Sequence, residues 1–494
     1  MPLNFTDFSF LIILFIGLII YWSFSKFIKT QNTILLGLCY FIYGFGSLWL
    51  LIIIFSSTIF NYFSGILLGK KFNQKKKKRI LVLSILINLS NLVFFKYFNF
   101  FSENITYLLN IFGLNIDPFI LNIIVIIGIS FYTLQVIAYN IDVYREIINP
   151  IKRFIDFAVF LAYFPKLASG PIEHPKNFIP EIEKRKKLSN CDFSGAIQLI
   201  LFGYFSKVVI ADLISYHIGD FYLNPSAYNS TDALLITFLY TIQIYADFAA
   251  YSNIARGISK LFGINLMINF NQPYLSTNIR AFWRTWHISL TEWLRDYLYI
   301  PLGGDRKGSK RLQLNILIVF TLSGLWHGAG LTYIIFGLVH GFFLIIYRFN
   351  HNALNKWNKN PIKLIENLDG YKKKLFYSCY KFLGFFITFQ FINFALIIFR
   401  SSDLNTAFII IKKAYSFDSS FLVHINHNYL LYILLFSYFF IFLIDLIQYK
   451  LKRQDIITNL HWIPQGIIYA FLIFMIIIFT NSFVKYTPFI YAGF

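Results

Sequence analysis

The strongest constraint on this chain is a series of apolar runs long enough to cross a membrane. They lie at about 8–25, 33–48, 49–67, 80–100, 118–139, 195–215, 232–255, 312–327, 331–348, 375–399, 429–448 and 465–482. A hydrocarbon core about 30 Å thick takes about 20 apolar residues to cross as a helix, and about half as many as a tilted strand. Inside that core each backbone polar group needs a partner within the protein, so runs of this length predict helices. The expectation is an all-α polytopic membrane protein, folded as a single integral-membrane domain over 1–494. A hydrophobic share of 57% and an aromatic share of 20% agree with it.

Charge gives the orientation. The net charge is +21, which alone would also suit a nucleic-acid binder. The cations, however, sit in short runs between apolar segments, as in cytoplasmic loops, so membrane lipids and not nucleic acid are the expected surroundings. Lys75–Arg79, Lys152–Arg153, Lys184–Lys187, Arg306–Arg311, Lys372–Lys374 and Lys450–Arg453 read as cytoplasmic. Counting spans between them puts both termini outside, together with loops near 101–117 and 216–231 that contain no Lys or Arg. The outer loop near 400–428 departs from the pattern through Lys412 and Lys413. The first apolar run has no basic segment before it and no small-residue cleavage site after it, so it reads as a retained span. Segments 155–170 and 281–301 are apolar but broken by Pro, Lys, Arg or His, the pattern of re-entrant or interfacial pieces.

Two histidines carry the chemistry. His327 lies in LSGLWHGAG, between Trp326 and Gly328, with apolar helix-length sequence on both sides. An ionisable ring at membrane depth is costly and marks a functional site by default. An imidazole there can take a proton from an alcohol as it attacks an acyl group; the plainer reading is a buried ring bonded to a carbonyl. His287 lies in RAFWRTWHISLTEWLRDYLYIPLGG, among Trp283, Arg284, Trp286, Arg295, Asp296 and Tyr299. On one continuous helix, Arg284, His287 and Arg295 with Asp296 would share a face. Arginines among aromatics make a clamp for the phosphates of a nucleotide-containing donor, or alternatively a snorkelling interfacial belt. His340 is expected to pack within the bundle, and His174, His217, His351, His424, His427 and His461 to be surface residues. Three scattered cysteines argue for neither a disulfide framework nor a zinc site, and no carboxylate or thiol accompanies the two histidines at metal-ligand spacing. No phosphate loop, dinucleotide fingerprint or nucleophile elbow is present.

These residues carry a resemblance. WRTWHISLTEWLRDYLYIPLGG and SGLWHG are similar to blocks of the membrane-bound O-acyltransferase family, in its bacterial alginate and peptidoglycan O-acetyltransferase branch. FFKYFNFF, GISFYTLQVIAYNIDVYR, FPKLASGPIEHP and QIYADFAAYSNIARGISKLFG, the last beginning at Gln243, resemble further blocks, so the similarity runs from about 90 to 345. It implies a ring of about 11–12 transmembrane helices with a thin central funnel and the two histidines near its floor. It also implies His327 as the catalytic histidine and His287 as the second of the pair. Trp326, Trp286, Trp283, Arg284, Arg295, Asp296, Tyr299 and Gln243 become the expected substrate-binding set. The implied donor is acetyl-CoA from the cytoplasm, with no bound cofactor; the implied partner is a periplasmic acetyltransferase of the SGNH-hydrolase type. Lys166 departs from the residue expected in its block, and no role is carried onto it.

The ending PFIYAGF resembles aromatic endings in this branch. A phenol, with a pKa of about 10, is a good leaving group, so Tyr491 is a candidate transient acyl carrier; the alternative is an interfacial aromatic anchor. The expected function is acetyl transfer across the inner membrane for O-acetylation of an envelope polysaccharide, with peptidoglycan ahead of alginate. A transporter or channel is the rival class. It would show Gly- or Pro-broken spans paired between the two halves, and the sequence has none.

Overall fold

In the computed structural model, the described residues are 5, 7–123, 126–356, 365, 370–416, 429–482 and 489–490, and they form helices without strands. Each of the twelve apolar runs has a helix within it. Eight helices are long and apolar enough to cross a membrane among the described residues, and Phe8–Ser23 is a shorter apolar one. The chain is a multi-pass membrane protein.

Local chemistry sets the helix starts. Asn73, Asp192, Asn229, Asn278 and Asp403 each precede a helix and accept a hydrogen bond from a backbone N–H of its first turn. Such caps satisfy donors that the helix itself leaves without partners. One expectation needs correcting. The run at 118–139 is helical only over Ile129–Tyr144. Asp117-Pro118 favours extended backbone, and the helix begins after Gly128 at φ 80°, a conformation glycine adopts without strain.

The core has two large apolar clusters. One gathers the first three helices with Ile129–Tyr144 and Phe154–Ala162, while the other gathers segments between 202 and 286 with the C-terminal helices. Ser230–Leu261 belongs to both, through Ala250–Ile258 on one side and Ala233–Phe248 on the other. It is therefore the central post. A small third cluster of Phe131, Leu134, Ile172, Leu290 and Trp326 joins the histidine-bearing segments to the first half.

Among the described residues, three turns widen to π geometry, at Val93–Tyr97, Phe205–Asp212 and Arg295–Tyr299. Each carries a cation with a bonded partner: Lys96 and Lys207 reach other elements, while Arg295 pairs with Asp296 in its own turn. Such turns concentrate at functional positions. Residues in or near the basic runs also make contacts across the fold: Lys77 pairs with Glu146 at 3.0 Å, and Arg256, on the Ser230–Leu261 helix, donates to Gln454 at 2.7 Å. Lys413, the cation out of the charge pattern, caps the carbonyls of Ser226 and Tyr228 in the segment 216–231 that carries no Lys or Arg.

Ser309–His327 and Leu331–Lys356 cross at glycine. A Cβ on Gly324 would lie 2.1 Å from the Tyr333 carbonyl oxygen, and one on Gly337 would lie 2.1 Å from that of Phe320. Gly337→Ala is therefore expected to separate the two helices and destabilise the protein by about 1–3 kcal/mol. Thermal melting in detergent checks this; an unchanged midpoint would mean that the crossing is not so tight.

Candidate active site

The two histidines meet in the interior. Their rings are 6.2 Å apart, and both residues are almost wholly shielded from solvent. His327 ends the Ser309–His327 helix, with its ring against Trp326, Phe336 and Phe399. His287 packs edge-on against Phe248 at 4.8 Å and lies 5.9 Å from Trp326. Its backbone is left-handed, at φ 44° and ψ 53°. A non-glycine residue held there costs of order 1–3 kcal/mol, and such strain clusters at functional sites.

That backbone corrects the expected helical face. Ile279–Trp283 stops at Arg284, the chain turns at His287, and Ile288–Leu294 starts a new helix. Arg284, His287 and Arg295 therefore do not share one helical face. The arginines come together on a cavity instead. It holds about 290 Å³ and is lined by Arg280, Arg284, Arg295, Arg348, Trp283 and Tyr299, among others. Ser323 and Leu290 also line it, each one helical turn from a histidine. The cavity thus joins a cationic rim to positions one turn along the chain from each histidine, although neither histidine is itself among its walls. A larger cavity of about 770 Å³, also basic, lies between segments 256–272 and 448–455; neither histidine is among its walls.

The remaining candidates are distributed as follows. Trp286 is buried among Phe270, Phe282, Tyr274 and Tyr245. Asp296 pairs with Arg295 at 2.7 Å. Gln243 is buried on the central helix, one turn before Asp247. His340 is buried against Trp283, Phe336 and Phe391. Tyr491 lies outside the described residues, as do His424 and His427. Its neighbours Phe489 and Ile490 are described. Phe489 is buried against Tyr251 and under the Lys207 ammonium, and the Ile490 N–H donates to Asp247 at 2.7 Å. This stretch of tail is inside the protein.

Several residues escaped the sequence reading. His174 was expected at the surface but is 5% exposed, 3.5 Å from Glu292 and stacked on Tyr297, whose hydroxyl donates to Asp142. The flanking prolines and lysine suggested a loop, and a loop it is, but one folded under the His287 segment. Lys96 donates to the carbonyls of Trp326 and His327. A lone lysine inside an apolar run was the signal available for it. Lys166, left without a role, is fully buried; it donates to Gln135 and to the Phe160 carbonyl.

Comparison with known proteins decides the family. Residues 129–363 match the model of the membrane-bound O-acyltransferase family. A peptidoglycan O-acetyltransferase of Helicobacter pylori is 33% identical over 446 residues, covering 85% of this chain and 80% of that protein. The chain belongs to the membrane-bound O-acyltransferase family. A probable alginate O-acetylase of Pseudomonas putida is 39% identical, covering 68% of this chain and 69% of the relative. A teichoic acid D-alanyltransferase of Bacillus subtilis is 29% identical, covering 58% and 71%. As a member of this family the chain is an acyltransferase.

Proposed function

We propose that this acyltransferase takes an acetyl group from acetyl-CoA at the cytoplasmic face of a bacterial inner membrane and passes it to a hydroxyl reached from the other face. The observation that carries the reading is the cationic cavity whose walls lie one turn from both histidines. Its four arginines suit the phosphates of coenzyme A, and its apolar inner wall suits the thioester arm. The charge pattern supports a cytoplasmic rim and periplasmic termini.

His327 removes the hydroxyl proton as the oxygen attacks the thioester carbonyl. The C–O bond forms, the C–S bond breaks, and the departing sulfur takes the proton back as a free thiol. His287 orients the donor or polarises its carbonyl. Tyr491 receives the acetyl group as a phenyl ester; this assignment is supported by Phe489, buried just before it, and by Ile490, whose N–H donates to Asp247. A periplasmic partner of the SGNH-hydrolase type then moves the group to the polymer. Peptidoglycan is the acceptor we favour, supported by the Helicobacter pylori relative that aligns over 85% of this chain. An exopolysaccharide such as alginate is the second reading, favoured by the 39% identity to the Pseudomonas putida relative.

Purified protein in lipid, given acetyl-labelled acetyl-CoA, should release free thiol and retain label at Tyr491, and Tyr491→Phe should retain none. Thiol release with the label only elsewhere on the chain would remove the carrier assignment, and no thiol release would remove the donor. Mass spectrometry of wall fragments and capsule from a deletion strain separates the two acceptors.

A further inference from the structure

We infer that Lys96 is a positioning residue that fixes the catalytic end of the Ser309–His327 helix; this rests on the reading of His327 as the base. A helix leaves its last carbonyls without partners in the helix, and a left-handed glycine just past the end commonly helps to satisfy them. Here Gly328 is extended, at φ −164° and ψ 157°. Side chains from another helix take the carbonyls instead. Tyr97 Oη donates to Leu325 O at 2.7 Å, and Lys96 Nζ donates to Trp326 O at 2.7 Å and to His327 O at 3.3 Å. The third bond of the ammonium goes to Ser130 Oγ at 3.1 Å, in the first turn of Ile129–Tyr144. An ammonium has three donors, and three acceptors meet it.

The wide turn makes this possible. Neighbouring residues on an α-helix point about 100° apart. In the π turn Val93–Tyr97, Lys96 and Tyr97 both reach the same helix end. The turn interrupts the 38-residue apolar helical stretch Gln74–Ile111, where even a half-buried cation is expensive and persists only with strong compensation. The compensation is the negative end of the helix that carries His327. The same ammonium also lies 5.9 Å from the Trp326 ring, which touches both histidines. Lys96 touches backbone and not the reacting atoms; it acts by holding the His327 main chain so that the imidazole stays in register with His287.

A misplacement of about 1 Å in such a site costs on the order of 100-fold in rate. Lys96→Met in lipid-reconstituted protein should therefore lower kcat for thiol release from acetyl-CoA by about 100-fold. The KM for acetyl-CoA should stay within about twofold, the pattern of an interaction that matters in the transition state alone. Lys96→Arg keeps a donating cation and should recover at least about tenfold of the loss. Equilibrium binding of acetyl-CoA to Lys96→Met, unchanged from the native protein, would establish that the variant is folded. Normal kcat in Lys96→Met beside an inactive His327→Ala would overturn the inference and leave the base in place. Loss of acetyl-CoA binding along with kcat would also overturn it, since Lys96 would then be a general structural bolt. An active His327→Ala would instead remove the reading on which the inference rests.

Discussion

Replacing His327 with Ala is expected to lower acyl transfer by about 10²- to 10⁴-fold, the range of a lost general base, while the protein stays folded in the membrane. The fold should survive because the ring is held by packing against Trp326, Phe336 and Phe399, an aromatic shell that remains when the imidazole is removed. Melting behaviour and acetyl-CoA binding close to native, together with absent thiol release and absent polymer acetylation, are the expected set. Native acetylation in this variant would remove the proposed base. His287 calls for a different substitution. Its left-handed backbone suits Asn better than Ala, because Asn tolerates that conformation. His287→Asn thus tests the ring without adding strain to the turn.

The second large effect concerns stability. Lys207→Met is expected to destabilise the protein by about 3–5 kcal/mol, because it leaves buried carboxylates without the cation that they share. Lys207 Nζ lies 2.8 Å from Asp212 and 2.9 Å from Asp247, with all three side chains buried. Asp247 in turn accepts the Ile490 N–H, and the Lys207 ammonium covers the Phe489 ring. The substitution should therefore loosen the seated tail as well as lower the melting temperature. Adding Asp247→Asn should cost much less than it does in the native background, as expected for residues that share one network. Thermal unfolding of the three variants measures this coupling; strictly additive losses would mean that the pair is energetically independent.

Much of the fold was legible because its dominant physics is one-dimensional. Each apolar run long enough to span a membrane contains a helix, and run length and charge are properties of the sequence alone. The start at Ile129 was hidden because hydropathy does not register the backbone preferences of Pro118 and Gly128. At the site, the importance of His327 and His287 was visible as polar rings in apolar, tryptophan-rich surroundings. Their meeting was legible only through the family resemblance and not from the residues themselves, since it depends on segments 40 residues apart in sequence packing across the core. The arginines of the cavity were legible as a cluster and misread as one helical face, because the break at His287 has no glycine or proline to announce it. Lys96 and His174 were missed for the same reason: each makes its bonds with a partner more than 100 residues away.

The wide turns bear on how relatives should be aligned and altered. A π turn holds one residue more than the α turn it interrupts, so it is in effect an insertion accommodated without leaving the helix. Deleting a single residue near Lys96 would heal Val93–Tyr97 into regular geometry and swing everything downstream by about 100°. The shortened helix would be more regular, but Lys96 and Tyr97 would no longer both reach the neighbouring helix end. Homologues that differ by one residue at this point are therefore the natural place to look for chains that have kept the architecture and given up the chemistry.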